Sequence, residues 1–83
     1  MDDLQFEMLT KVEEYYDDEY ISIARVINGT IDRTIFTPAE IARNTLQRML
    51  GVALFVQKYI PYKDVNALYE EYKTKVENLY LTN

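Results

Sequence analysis

Eighty-three residues make a single domain, 1–83, close to the size below which one hydrophobic core needs staples. The absence of cysteine excludes disulfides and thiolate metal sites, and the absence of histidine removes the commonest general base and metal ligand, so no enzyme activity, metal or cofactor is expected. The net charge of −5 is segregated: residues 1–19 carry eight acids against Lys11, residues 20–63 six bases against Asp32 and Glu40, and the remainder four acids against Lys73 and Lys75. Nucleic acid is not an expected partner, because nonspecific binding draws on counterion release over a dense basic surface. The basic middle segment alone leaves contact with an anionic membrane open. The start, Met1-Asp2-Asp3, is acidic where a secretory leader would be basic. The longest uncharged apolar run, Met49 to Val56, is far short of the roughly 18 residues of a spanning helix. A soluble, cytoplasmic protein without a transmembrane segment is expected.

Leu4, Met8, Val12 and Tyr15, with Leu9 and Tyr16 beside them, have helical spacing and predict a first amphipathic helix over 3–16. Phe6 lies off this stripe and reads as a surface aromatic or an end-of-bundle contact. The run Glu13-Glu14-Tyr15-Tyr16-Asp17-Asp18-Glu19 is the densest acidic stretch, but it lacks the oxygen spacing and turn glycine of a calcium loop. Asp17 or Asp18 suits an N-cap and Glu19 a first helical turn, which predicts a junction here and a second helix over 18–34. Residues 20–35 also fit a hairpin turning at Asn28-Gly29 between β-branched strands. The helical stripe Tyr20, Ile23, Ala24, Ile27, Ile31 and Thr34 favours a helix, since a lone two-stranded hairpin is marginal. Gly29 then lies on the wet face or ends the helix early.

The strongest local signals open a third helix, predicted over 38–60. Thr37 can cap, Pro38 needs no N–H at the first helical position, Glu40 can reach back to the cap, and Phe36 with Ile41 can form a hydrophobic staple. Ile41, Ala42, Leu46, Met49, Ala53, Val56 and Ile60 form its apolar stripe. Leu54 and Phe55 fall on the opposite side, flanking Gly51. One reading is a helix midpoint covered by two neighbours; the other is an exposed patch of Leu54, Phe55 and bare Gly51 backbone, with Lys58 a turn away. Pro61 forces a break at Ile60-Pro61. Beyond it, Val65, Leu68, Tyr72, Val76 and Leu79 predict a final helix over 63–81, supported by the Glu71–Lys75 pair. Tyr62, Tyr69 and Tyr80 lie outside that stripe, as core-edge or interface aromatics. Four amphipathic helices with short connections predict an all-α, antiparallel four-helix bundle.

Residues 18–80 resemble, in the order and spacing of several stretches rather than in any signature, the immunity proteins of class IIa (pediocin-like) bacteriocins. The stretches are Ile31-Asp32-Arg33-Thr34, the Thr37-Pro38 helix entry, Ala42-Arg43, Ala53-Leu54-Phe55-Val56, and Lys58-Tyr59-Ile60-Pro61-Tyr62 before a final helix. The resemblance implies a four-helix bundle in the producer's cytoplasm, peripheral to the inner membrane face. It also implies protection without enzymology: the protein binds the complex of bacteriocin and its receptor, a membrane permease, and keeps the pore closed. The family's C-terminal half decides recognition, which here implicates Ile60 to Asn83. Together with the off-stripe patch, this makes Gly51, Leu54, Phe55, Lys58, Tyr62, Tyr69, Tyr80 and Leu81 the candidate partner-binding residues. Two alternatives stand beside it. One is a small acidic inhibitor of a cytoplasmic target, a nucleic-acid mimic acting through Glu13 to Glu19. The other is a bundle that homodimerises through Leu54 and Phe55.

Overall fold

The computed structural model describes residues 1–27, 29 and 37–81, with only the backbone at Ile27 and Leu81. Across these residues the chain is all-helical: α1 spans Asp3–Ile27, α2 spans Pro38–Val56 and α3 spans Tyr62–Leu81. None of the three is long and apolar enough to cross a membrane.

The principal departure from expectation is that the predicted helix 3–16 and the first part, 18–27, of the predicted helix 18–34 are one continuous α1, so three helices rather than four are present among the described residues; the rest of that second prediction, 28 and 30–34, lies outside them. The predicted junction at Asp17 to Glu19 does not form. No glycine or proline interrupts residues 3–27, and an aspartate inside a helix costs only about 0.7 kcal/mol against alanine. Continuity buries Tyr16 and Ile23 on one line with Val12, and each such burial contributes about 1.5–3 kcal/mol. Burial therefore outweighs the poor helix propensity of the aspartates. The helix ends near Gly29, whose φ of 86° suits glycine and whose N–H donates to the Val26 carbonyl at 3.1 Å. Residues 21–27 are helical, so the first strand of the alternative hairpin is absent. Its second strand, and the staple residue Phe36, lie outside the described residues.

α2 begins as its sequence predicts. The Glu40 N–H donates to Thr37 Oγ1 and the Thr37 N–H to Glu40 Oε2, both at 3.2 Å, with Pro38 in the first turn. The helix stops at Val56, four residues short of the expected Ile60. The N–H groups of Tyr59 and Ile60 both donate to the Val56 carbonyl, a tightened turn that reverses the chain ahead of Pro61. Ile60 is buried in that corner. α3 starts when the Pro61 carbonyl accepts from Asp64 and Val65.

Each helix packs against the other two. Gln5 meets Tyr59, Tyr16 meets Met49 and Glu19 meets Arg48, so α1 and α2 are antiparallel. Tyr72 lies against Tyr16 and Asp17, and Lys75 over Tyr20, so α3 runs parallel to α1. The result is an up-down-up rod of 44 × 19 × 16 Å. Its core joins Val12, Tyr16 and Ile23 to Ala42, Met49, Ala53, Val56 and Ile60, and to Val65, Leu68, Tyr72 and Val76. Thr45 is the buried polar member, held by Arg48 Nη2 at 3.2 Å from its hydroxyl.

Two phenols are pinned at the centre. Tyr16 is fully buried and donates to the Met49 carbonyl at 2.9 Å, while the Tyr72 hydroxyl donates to Asp17 Oδ1. Burial, reinforced by Tyr69 and Tyr15, pushes Tyr16 up to about 12; burial and the Asp17 carboxylate raise Tyr72 as well. Both groups ionise less readily folded than unfolded, where tyrosine titrates near about 10. Their stabilising contribution is therefore complete below pH ~10 and is lost as pH rises through that value toward 12. In an absorbance titration of tyrosinate, a late phase led by these two tyrosines is expected, with Tyr15, raised by burial and Glu19, also delayed, and the urea midpoint falls above pH ~10. Simultaneous ionisation of all eight tyrosines near pH ~10 with helix content retained would contradict this arrangement.

Candidate interaction surface

The acidic run is turned partly inward. Glu19 Oε2 accepts from Arg48 Nη2 at 2.7 Å and from Arg48 Nε at 3.2 Å, and this carboxylate is the main reason the guanidinium pKa is raised. Asp17 receives the Tyr72 hydroxyl. Asp17, a candidate N-cap, and Glu19, expected in a first helical turn, instead tie α1 to α3 and to α2. Glu13, Glu14, Asp17 and Asp18 are exposed, Asp17 while holding the Tyr72 hydroxyl, and Glu14 lies near Lys11 at 3.8 Å. No group of three or more acids among the described residues gathers as a cation site.

The exposed apolar surface is unevenly placed. Ten large apolar or aromatic side chains lie exposed among the described residues. Seven of them, Met1, Leu4, Phe6, Leu54, Phe55, Tyr59 and Tyr62, belong to the start of α1, the last turn of α2 and the connection into α3. The up-down-up course brings these three segments to one end of the rod. Gln5 Nε2 donates to the Tyr59 carbonyl at 2.9 Å and fastens the first turn of α1 to the α2–α3 connection. The Phe55 and Tyr59 rings lie 5.7 Å apart, with Lys58 Nζ 6.0 Å over Phe55. Carrying the Tyr16–Tyr72 level back along the two parallel helices sets Phe6 beside the height of Tyr62.

Of the candidate residues, the structure brings Phe55, Lys58 and Tyr62 to this end, with Leu54 one step around α2 and 51% exposed. Leu54 and Phe55 are both exposed, so neighbouring helices do not cover that side of α2. Gly51 is exposed with open space around it, so a bare backbone is not needed for packing there. Tyr69 is half-buried against the core, and Tyr80 is exposed near the far end of α3. The side chain of Leu81 lies outside the described residues. Sequence reasoning missed Met1, Leu4 and Tyr59. The available signal was the proline break, which returns α3 alongside α1 and so places the α2–α3 turn beside the chain start.

A depression of about 330 Å³ lies between α1 and α2 toward the opposite end, against Ile23, Val26, Ile41 and Arg48. Arg48 is already engaged by Glu19, so its charge is not offered there. No protein-family model, curated protein or solved structure matches the chain.

Proposed function

We propose that the chain works by binding a protein through its apolar end, without catalysis. In specific form, we propose an immunity protein of the class IIa bacteriocin kind, docking from the cytoplasmic side onto a permease that holds bacteriocin. The observation that carries the binding reading is the gathering of seven of the ten exposed large apolar side chains at one end. Concentrated apolar patches with aromatic members mark contact surfaces, whereas apolar residues scattered singly do not.

The resemblance supplies the specific partner. Its Lys58-Tyr59-Ile60-Pro61-Tyr62 stretch makes up the α2–α3 connection at this end, with Tyr62 opening α3. The helix count departs from the four-helix plan of that family, so the part of the resemblance that rests on helix order falls away and what supports the specific form is the spacing across the break at Pro61. Against the acidic-inhibitor reading, Asp17 and Glu19 are engaged with Tyr72 and Arg48 and do not stand as a free anionic array.

Expression in a bacteriocin-sensitive strain is expected to raise survival against a class IIa bacteriocin. The exposed substitutions Phe55→Glu and Tyr59→Glu are expected to abolish that gain without reducing helix content. No gain against any member of the class sinks the specific form.

A further inference from the structure

We propose that a second copy of this chain docks on the apolar end, giving a two-fold dimer. The proposal rests on the reading of that end as a binding surface: in the free protein a second copy covers the end that the permease complex takes in the specific form of that reading.

Charge placement points to self-docking. Asp3 and Glu7 lie on the first turns of α1, whereas Lys58 and Lys63 flank the α2–α3 connection. None of these four enters an ion pair among the described residues. A two-fold axis sets a patch against its own rotated image. A surface with acids on one side and lysines on the other is therefore complementary to itself, whereas a single-signed one would repel. Along the middle of α1 and α3 the exposed acids Glu13, Glu14, Asp18, Glu70, Glu71 and Glu77 outnumber Lys11, Lys73 and Lys75, and this net negative charge disfavours side-by-side pairing farther along the rod. Contact is thus directed to this end.

Area decides the mode of overlap. A stable contact needs about 800 Å² from each partner. The backbone outline of the end measures only 19 × 16 Å, so contact along the flank is needed to bring the buried surface toward that size. The copies overlap along the flank carrying Phe55, Lys58 and Tyr59, adding these side chains to Leu4, Phe6 and Tyr62 at the end. The acids Asp2, Asp3 and Glu7 also make the end a poor match to an anionic lipid surface.

Sedimentation equilibrium of the purified full chain tests this. Concentration-dependent dimer is expected at tens of micromolar, and Phe55→Glu is expected to weaken it at least tenfold with helix content unchanged. Lys58→Glu with Lys63→Glu in one chain, and Asp3→Lys with Glu7→Lys in another, are each expected to lose self-association, and their mixture to recover a heterodimer. A wild-type monomer at about 1 mM overturns the proposal. So does failure of the mixture to associate, or a monomer that instead floats with phosphatidylcholine vesicles. No other protein is present, so loss of dimer leaves the protection assay standing, and loss of protection leaves the dimer standing.

Discussion

Replacing Asp18 by alanine is expected to stabilise the protein by a few tenths of a kcal/mol and replacing it by proline to cost about 3 kcal/mol or more. The two substitutions separate a helix interior from a helix junction by sign. Asp18 is exposed in the middle of α1. Alanine there improves helix propensity and removes the i, i+4 repulsion from Glu14. At an N-cap, the same alanine would instead cost about 1 kcal/mol. Proline in the interior removes a ladder hydrogen bond and clashes with the preceding turn, while the first turn of a new helix would accept it. Urea denaturation with far-UV circular dichroism reads both. A destabilising alanine together with a tolerated proline would restore the junction at Asp17 to Glu19.

Tyr16 is the side chain whose loss is expected to cost most. It lies with 0% exposure between Met49 and the Tyr72 ring 5.4 Å away. Tyr16→Ala is expected to lose about 3–5 kcal/mol, the range for emptying a large aromatic site. A chain of 83 residues has roughly 4–12 kcal/mol to lose, so the variant is expected to be largely unfolded at 37 °C or to melt far below wild type. Tyr16→Phe keeps the ring and removes only the hydroxyl bond to Met49. The Met49 carbonyl retains its helical donor, so this change is expected to cost about 1 kcal/mol. Comparing the two by urea midpoint separates packing from hydrogen bonding. Equal losses would show that the phenol hydroxyl, not the ring, anchors α1 to α2.

Where local chemistry is self-contained, the sequence was readable. The Thr37-Pro38-Glu40 start, the reversal ahead of Pro61 and the buried line through Met49, Ala53, Val56 and Ile60 all follow from signals a few residues apart. The α3 line through Val65, Leu68, Tyr72 and Val76 follows from period alone. The expected break in α1 does not form, for a physical reason. Asp17, Asp18 and Glu19 suit a cap, but they also suit a helix whose acids meet Tyr72 and Arg48 on neighbouring helices, and those partners are 29 and 55 residues away. The core line of α1 is also shifted. Tyr16 rather than Tyr15 is fully buried, Gln5 occupies the stripe near the start, and Leu4 stands 68% exposed.

The candidate surface divides in the same way. Leu54 and Phe55 stood out in the sequence because a 100° step places them opposite the apolar stripe. That Phe55 joins Tyr59 and Lys58, and that Leu4 and Phe6 come to the same end, depends on the chain reversing on either side of α2 between α1 and α3.

By itself the sequence determined helicity, the start of α2, the break ahead of Pro61 and the want of thiol or imidazole chemistry, because each depends on residue type or short-range geometry. Only the tertiary structure decided the number of helices, the inward role of Asp17 and Glu19, and the gathering of apolar side chains at one end. Those outcomes turn on burial and ion pairing between segments distant in the chain. Together these contributions outweigh the few tenths to about one kcal/mol by which local preferences choose a cap or a turn.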